Sequence, residues 1–195
     1  MHFSSENFGI HFPNPDLINA YEATDLRTYF YSKQYLEGYF GVSEYLYEKF
    51  NQANMTGPDV AEMYLILAEC AARKSDFNTC MQNVEMVRMN RFNMADYTPL
   101  ALPTTVKEVV ELVVQERLLE LPFTSCRWSD VKRLNAEGLV DPSILSREFY
   151  AIKDGSIDFT QPMTYTLQPD SRKYARPLPN EVVDLTDGKV KQNTY

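Results

Sequence analysis

The sequence contains two histidines, three cysteines and seven scattered glycines. Both histidines, His2 and His11, lie at the N-terminus, so the body of the chain has no imidazole to serve as general base or metal ligand. Cys70, Cys80 and Cys126 are an odd number without CxxC spacing, which argues against a disulfide framework or a zinc site. No glycine-rich loop suited to a phosphate is present. Basic residues are outnumbered, 19 Lys+Arg against 27 Asp+Glu, a net charge of −8. Non-specific nucleic-acid binding needs the opposite balance. The longest apolar run, Met63 to Ala68, is far short of the ~20 residues that span a bilayer. The opening Met-His-Phe-Ser-Ser-Glu has no basic or apolar leader segment, so the chain reads as cytoplasmic or as the mature or truncated part of something longer. No cofactor motif and no metal-binding pattern is found.

What remains is ordinary globular composition, 44% hydrophobic and 24% charged, over 195 residues. A chain of this size buries roughly 70% of its unfolded surface and needs no staple. The patterning predicts a single, mainly α domain over 1–195. An aromatic-rich irregular segment (1–58) leads into a helical core (59–137) and a tail of loops and short strands (138–195).

In the first segment, Pro13-Asn14-Pro15 blocks helix and Asp16 can cap a short helix to Tyr21. Tyr29 to Phe50 holds nine aromatics in 22 residues, read as short strands or extended loops. Gly57-Pro58 marks a boundary. Asp59 opens a helix to about Arg73 that is apolar around nearly its whole circumference, the mark of a buried helix. Lys74-Ser75-Asp76 is a tight connection, and Asp76 caps a second helix from Phe77 to about Asn90. Its apolar stripe is Phe77, Cys80/Met81, Val84 and Val87, with Glu85 and Arg88 facing outward. A three-residue turn forces the two helices antiparallel. Thr105 and Glu108 form a capping box for a helix ending near Pro122. Another helix runs from Ser129 to about Glu137 and stops at Gly138. In the tail one strand is predicted, Met163 to Leu167.

Residues 61–91, with Ala68 and Cys80 as small crossing residues, resemble a single tetratricopeptide repeat with Ser75 in place of the usual glycine. A broader resemblance is to the SusD/RagB family. It is carried by Tyr64-Leu-Ile-Leu-Ala-Glu69, Val87-Arg88 and Asp25-Leu26-Arg27. Glu116-Arg-Leu-Leu-Glu-Leu121, Phe123 and Arg127-Trp-Ser-Asp-Val-Lys-Arg133 add to it, as do Pro177-Leu-Pro179 and the closing Gln192-Asn-Thr-Tyr195. The chain departs from the family's pattern at Pro122, Thr124-Ser125, Glu85 and the ending, which lacks Pro-Gly. The resemblance reaches from about residue 16 to the end and only to the family's C-terminal half. It implies a glycan-binding lipoprotein of the outer membrane, active in nutrient uptake and polysaccharide utilisation. Such a protein passes oligosaccharides to a TonB-dependent, SusC-like porin, and its lipid anchor would lie outside this sequence.

Two constellations are candidates for function. Glu116, Arg117, Glu120, Arg127, Asp130 and Arg133 form the densest charge cluster beside apolar sequence. Glu116 and Glu120 share a helix face and could work as an acid–base pair. The favoured reading is structural: arginines with fixed charge hold the acids ionised and tie two helices together. The second constellation is the aromatic run. Sugars present apolar C–H faces, and Tyr29, Tyr31, Tyr35, Tyr39, Phe40 and Tyr45 are the glycan-stacking candidates, most of the run being core. That choice rests on ring chemistry, not on the family. Trp128 reads as buried packing. Cys70 and Cys80 could face each other across the helix crossing, as two small apolar residues rather than a redox pair. The expected activity is binding without catalysis. The alternative is a helical-repeat scaffold that holds a protein partner.

Overall fold

The computed structural model describes residues 2–5, 8–11, 15–32, 46–47, 59–124, 126–153 and 156–194. Among these the chain is mainly α. The described residues form two compact units, 1–128 and 129–195.

The first unit opens with an antiparallel pair, β1 (His2–Ser5) and β2 (Phe8–His11), which composition did not announce. Helix α1 (Pro15–Asn19) follows where the proline start and Asp16 predicted it. A 3-10 turn, Leu26–Phe30, is capped by Asp25, whose carboxylate accepts the Arg27 backbone N–H at 2.9 Å. Tyr29 and Phe30 therefore lie in a 3-10 turn, where short strands or extended loops were expected. Strands β3 (Tyr31–Ser32) and β4 (Leu46–Tyr47) pair antiparallel.

Helices α2 (Val60–Arg73) and α3 (Phe77–Arg88) form the predicted αα-hairpin, capped by Asp59 and Asp76. The turn is a Schellman closure. The Asp76 N–H reaches the Ala71 carbonyl and the Ser75 N–H that of Ala72, both at 3.0 Å. This closure needs a left-handed residue, and Ser75 supplies it at φ 62°. Helix α4 (Val106–Glu120) carries both halves of its capping box, Glu108 N–H to Thr105 Oγ1 at 3.2 Å and Thr105 N–H to Glu108 Oε2 at 3.0 Å.

Leu65, Ala68, Ala72, Cys80, Val84, Val109, Val110 and Val113 are fully buried. Burial pushes the Cys80 thiol up to about 11. Helix α2 packs chiefly on α3 and α4 and is not buried all round. Val60, Met63, Ile66 and Leu67 stay exposed, because one helical pair cannot cover both of its faces. Cys70 lies on that open side and does not face Cys80. Arg88, expected outside, is buried. Glu85 is half-buried, and its Oε1 accepts the Leu100 N–H at 2.8 Å, holding the connection to α4.

The boundary between units falls inside α5 (Cys126–Glu137), which starts three residues before the predicted Ser129 and stops at Gly138, φ 71°. Trp128, expected to be buried, is 39% exposed. In the second unit the single predicted strand is one arm of a longer hairpin, β5 (Leu145–Lys153) with β6 (Ser156–Leu167), bulged between Phe149 and Ala151. A second 3-10 turn (Arg172–Tyr174) and α6 (Asn180–Leu185) follow. Asn135 fastens the loop after α5, accepting the Ser143 N–H at 2.8 Å and donating to the Ser143 carbonyl and the Tyr174 hydroxyl. Near the end, the Gln192 amide brackets Leu178, accepting its N–H at 2.7 Å and donating to its carbonyl at 2.8 Å. Asn193 donates to the Arg176 carbonyl at 2.6 Å. The Pro-Leu-Pro and Gln-Asn motifs are thus two halves of one clasp.

A left-handed conformation costs a non-glycine residue about 1 kcal/mol, and Ser75 makes no cap that glycine would lose. Ser75→Gly is expected to raise the melting temperature by about 2–4 °C in thermal denaturation. An unchanged or lower midpoint would contradict the closure described.

Candidate functional site

The centre of the first unit is a buried charge network. Asp25 and Glu116 are each 2% exposed, and Arg27, Arg88 and Glu120 are also buried. The Arg27 fork grips Asp25, with Nη2 at 2.7 Å from Oδ2 and Nε at 3.0 Å from Oδ1. Its Nη1 donates to Glu116 Oε1 at 2.7 Å and to Glu120 Oε2 at 3.1 Å. Arg88 Nη1 reaches the other Glu116 oxygen at 3.3 Å, and its Nη2 reaches the exposed Glu22 at 2.7 Å. Arg91 closes on Glu120 from two nitrogens, Nε donating to Oε2 at 2.9 Å and Nη2 to Oε1. Three buried carboxylates face three guanidiniums.

Helix geometry explains this convergence. Glu116 and Glu120 are one turn apart on α4 and present both carboxylates to the same side. Arg88 ends α3 and Arg91 lies just beyond it, while the Leu26 N–H bonds the Arg91 carbonyl at 2.8 Å and seats the Asp25–Arg27 turn over them. Burial alone would lower the Arg27 guanidinium, but Asp25 and Glu116 outweigh it and hold it above the ordinary arginine range. The same holds at Arg88, where burial is opposed by Glu22 and Glu116. At Arg91 the hydrogen bonds from Glu120 dominate and raise it.

Of the six charged residues singled out in the sequence, Glu116 and Glu120 meet in this network, but their arginines come from positions 27, 88 and 91. Through Glu116 and Glu120 the network links α4 to the end of α3 and to the 3-10 turn. Arg117 is one residue, about 100° of helix, from Glu116 and turns toward α2, 4.0 Å from Glu62. Arg127 is half-buried in the first unit. Asp130 and Arg133 pair with each other within α5 at 3.0 Å. Helix phase turns Arg117 away from the side that carries Glu116 and Glu120. The signal for Arg27 and Arg88 was present in the Asp-x-Arg and Val-Arg motifs. Arg91, adjoining the Val-Arg pair, carried none.

Beside the network lies a cleft of about 300 Å³ lined by Tyr21, Phe30, Tyr31, Asn90, Arg91 and Glu120, among others. The Tyr21 and Tyr31 rings are tilted at 51° with centroids 5.6 Å apart. The Tyr21 hydroxyl donates to the Leu119 carbonyl at 2.8 Å. Its single proton is thereby used, so Tyr31 donates to Tyr21 across 3.0 Å. Burial first, and this hydrogen bond second, push the Tyr31 phenol above its ordinary range. Arg27 sits 5.6 Å from the Tyr21 centroid. Of the stacking candidates, Tyr31 is therefore a half-buried wall of the cleft, and Tyr29 is 83% exposed in the adjoining turn. Tyr35, Tyr39, Phe40 and Tyr45 lie outside the described residues. Tyr21 and Phe30 were not among the candidates, although Phe30 belongs to the same aromatic run.

Residues 24–195 match the SusD family, and the match crosses both units. The chain belongs to this family, which groups carbohydrate-binding, generally non-catalytic proteins of polysaccharide utilisation that are generally found as lipoproteins on the outer-membrane surface. A comparison with curated proteins returns no match. Among the described residues, no helix is long and apolar enough to cross a membrane, and no group of three or more His, Cys, Asp or Glu is placed to hold a metal ion.

Glu116→Gln leaves Arg27 and Arg88 buried and short of a counter-charge. The expected cost is on the order of 3–5 kcal/mol in urea denaturation, with loss of fold ahead of any selective functional defect. A cost below about 1 kcal/mol would show that the network does not hold the unit together.

Proposed function

We propose that this chain captures oligosaccharides at the outer-membrane surface without chemical change, for uptake through a TonB-dependent porin of the SusC type. Its attachment to the membrane would be through an N-terminal lipid anchor outside this sequence. The observation that carries the reading is the pairing of a ring-walled cleft with a charge network already satisfied by its own arginines. A glycosidase needs one carboxyl group held protonated near neutral pH and a second free to attack or to activate water. Here both oxygens of Glu116 and of Glu120 already accept hydrogen bonds from guanidiniums, so neither carboxylate is left open to attack a sugar or to activate water. Phe30 and the half-buried Tyr31 offer flat surfaces to sugar C–H faces, with the buried Tyr21 behind them, and Asn90 and Arg91 add polar groups at the same wall.

The scaffold reading draws on one observation, the exposed apolar residues Val60, Met63 and Leu67 on α2. A tight protein partner together with no sugar binding would favour it.

Phe30 is exposed at the cleft and can be truncated without opening the core. In calorimetric titration with a neutral oligosaccharide selected on a glycan array, Phe30→Ala is expected to weaken binding about 2–10-fold while circular dichroism stays unchanged. Wild-type affinity in that variant, or release of shortened sugar by the wild-type chain, would contradict the proposal.

A further inference from the structure

The β5–β6 hairpin presents a second surface in the other unit. Register places Leu145 opposite Leu167, Arg147 opposite Tyr165, and Phe149 opposite Met163, so these six residues share one face. The other face carries Ser146, Thr164 and Thr166. The apolar face is not covered: Phe149, Met163 and Tyr165 are all exposed, Tyr165 at 58%. The Phe149 and Tyr165 rings stand perpendicular with centroids 5.2 Å apart, forming a corner. The Arg147 guanidinium lies 5.8 Å from the Phe149 centroid and has no carboxylate partner among the described residues. A two-stranded hairpin is marginal in water by itself, so rings left in solvent on it do not act as core.

The size and charge of this face select its occupant. Strands are about 4.8 Å apart, so two strands make a narrow ledge rather than the ~800 Å² a stable protein interface buries on each side. A ledge of that width matches one or two sugar residues. Arg147, the one cation on this face, has no counter-ion among the described residues, and an Arg fork matches a carboxylate in two parallel hydrogen bonds. At physiological salt the repulsion from the remaining acidic surface is screened within about 8 Å.

We propose that the hairpin is a subsite for a carboxylated sugar, a uronic acid residue, with its ring on Tyr165 and Phe149 and its carboxylate on Arg147. The inference rests on the glycan-capture reading but uses residues apart from the Phe30 cleft. The test is calorimetric titration of the full chain with oligogalacturonides and oligomannuronates, beside neutral and sulfated oligosaccharides of equal length. At least one uronate series is expected to bind about tenfold tighter than its neutral counterpart at low salt, with the preference falling as salt is raised. Arg147→Met should bring acidic and neutral ligands to parity, and Tyr165→Ala should weaken the uronate about tenfold. Arg147 and Tyr165 are exposed, and circular dichroism of each variant checks its fold. Uronate binding unchanged in Arg147→Met, or a preference for sulfated ligands only, would overturn the subsite. Binding of neutral sugars alone, lost in Phe30→Ala and untouched in both hairpin variants, would overturn it and leave the capture reading standing. Failure to bind any glycan would overturn both.

Discussion

The Arg27 guanidinium is the interaction on which the first unit depends. It reaches three carboxylates at once, Asp25 beside it and Glu116 and Glu120 on a helix about 90 residues away in sequence. Removing such charges from water costs several kcal/mol per ion, and the cost is recovered only where every charge is matched with good geometry. The network approaches that condition with planar, permanently charged forks, a role that lysine could not fill, and leaves one buried donor, Arg88 Nε, without a hydrogen-bond partner among the described residues. It also fixes position. Asp25 caps the 3-10 turn and pairs with Arg27, so the turn bearing Tyr29 and Phe30 is seated against the ends of α3 and α4. The tyrosine pair at the cleft is anchored to the same helix through Leu119. The acidic groups thus preorganise the rings that wall the cleft.

Some of this was legible in the sequence because local chemistry decided it. Asp59, Asp76 and the Thr105/Glu108 pair each cap a helix where their side chains predicted, and a three-residue connection left the αα-hairpin no other geometry. Ser75 in the glycine position of that turn was visible as a departure, and its left-handed backbone gives the departure a physical meaning.

Other features depend on long-range packing that periodicity does not encode. An all-apolar helix reads as buried, yet α2 has neighbours on only part of its circumference and Met63 and Leu67 remain exposed. Arg88 reads as solvent-facing at the end of a polar helix, and only the arrival of Glu116 from α4 makes its burial possible. The first strand of the long hairpin, Leu145–Lys153, mixes polar and apolar residues without strict alternation, and both of its faces are largely exposed. Glu116 and Glu120 were found, but the arginines at 27, 88 and 91 that hold them were not, since residues far apart in sequence can meet.

The central claim is that Arg27 and Glu116 are mutual counter-charges of the fold rather than groups held for chemistry. A double-mutant cycle tests it most directly, with Arg27→Met, Glu116→Leu and the pair measured by urea denaturation of the full chain. The account predicts that each single variant loses on the order of 3–5 kcal/mol and that the double variant loses less than their sum, a coupling above about 1 kcal/mol, because the Arg27–Glu116 pair is then removed whole while Asp25 and Arg88 still lose a partner. Additive losses, with coupling below about 0.5 kcal/mol, would contradict it.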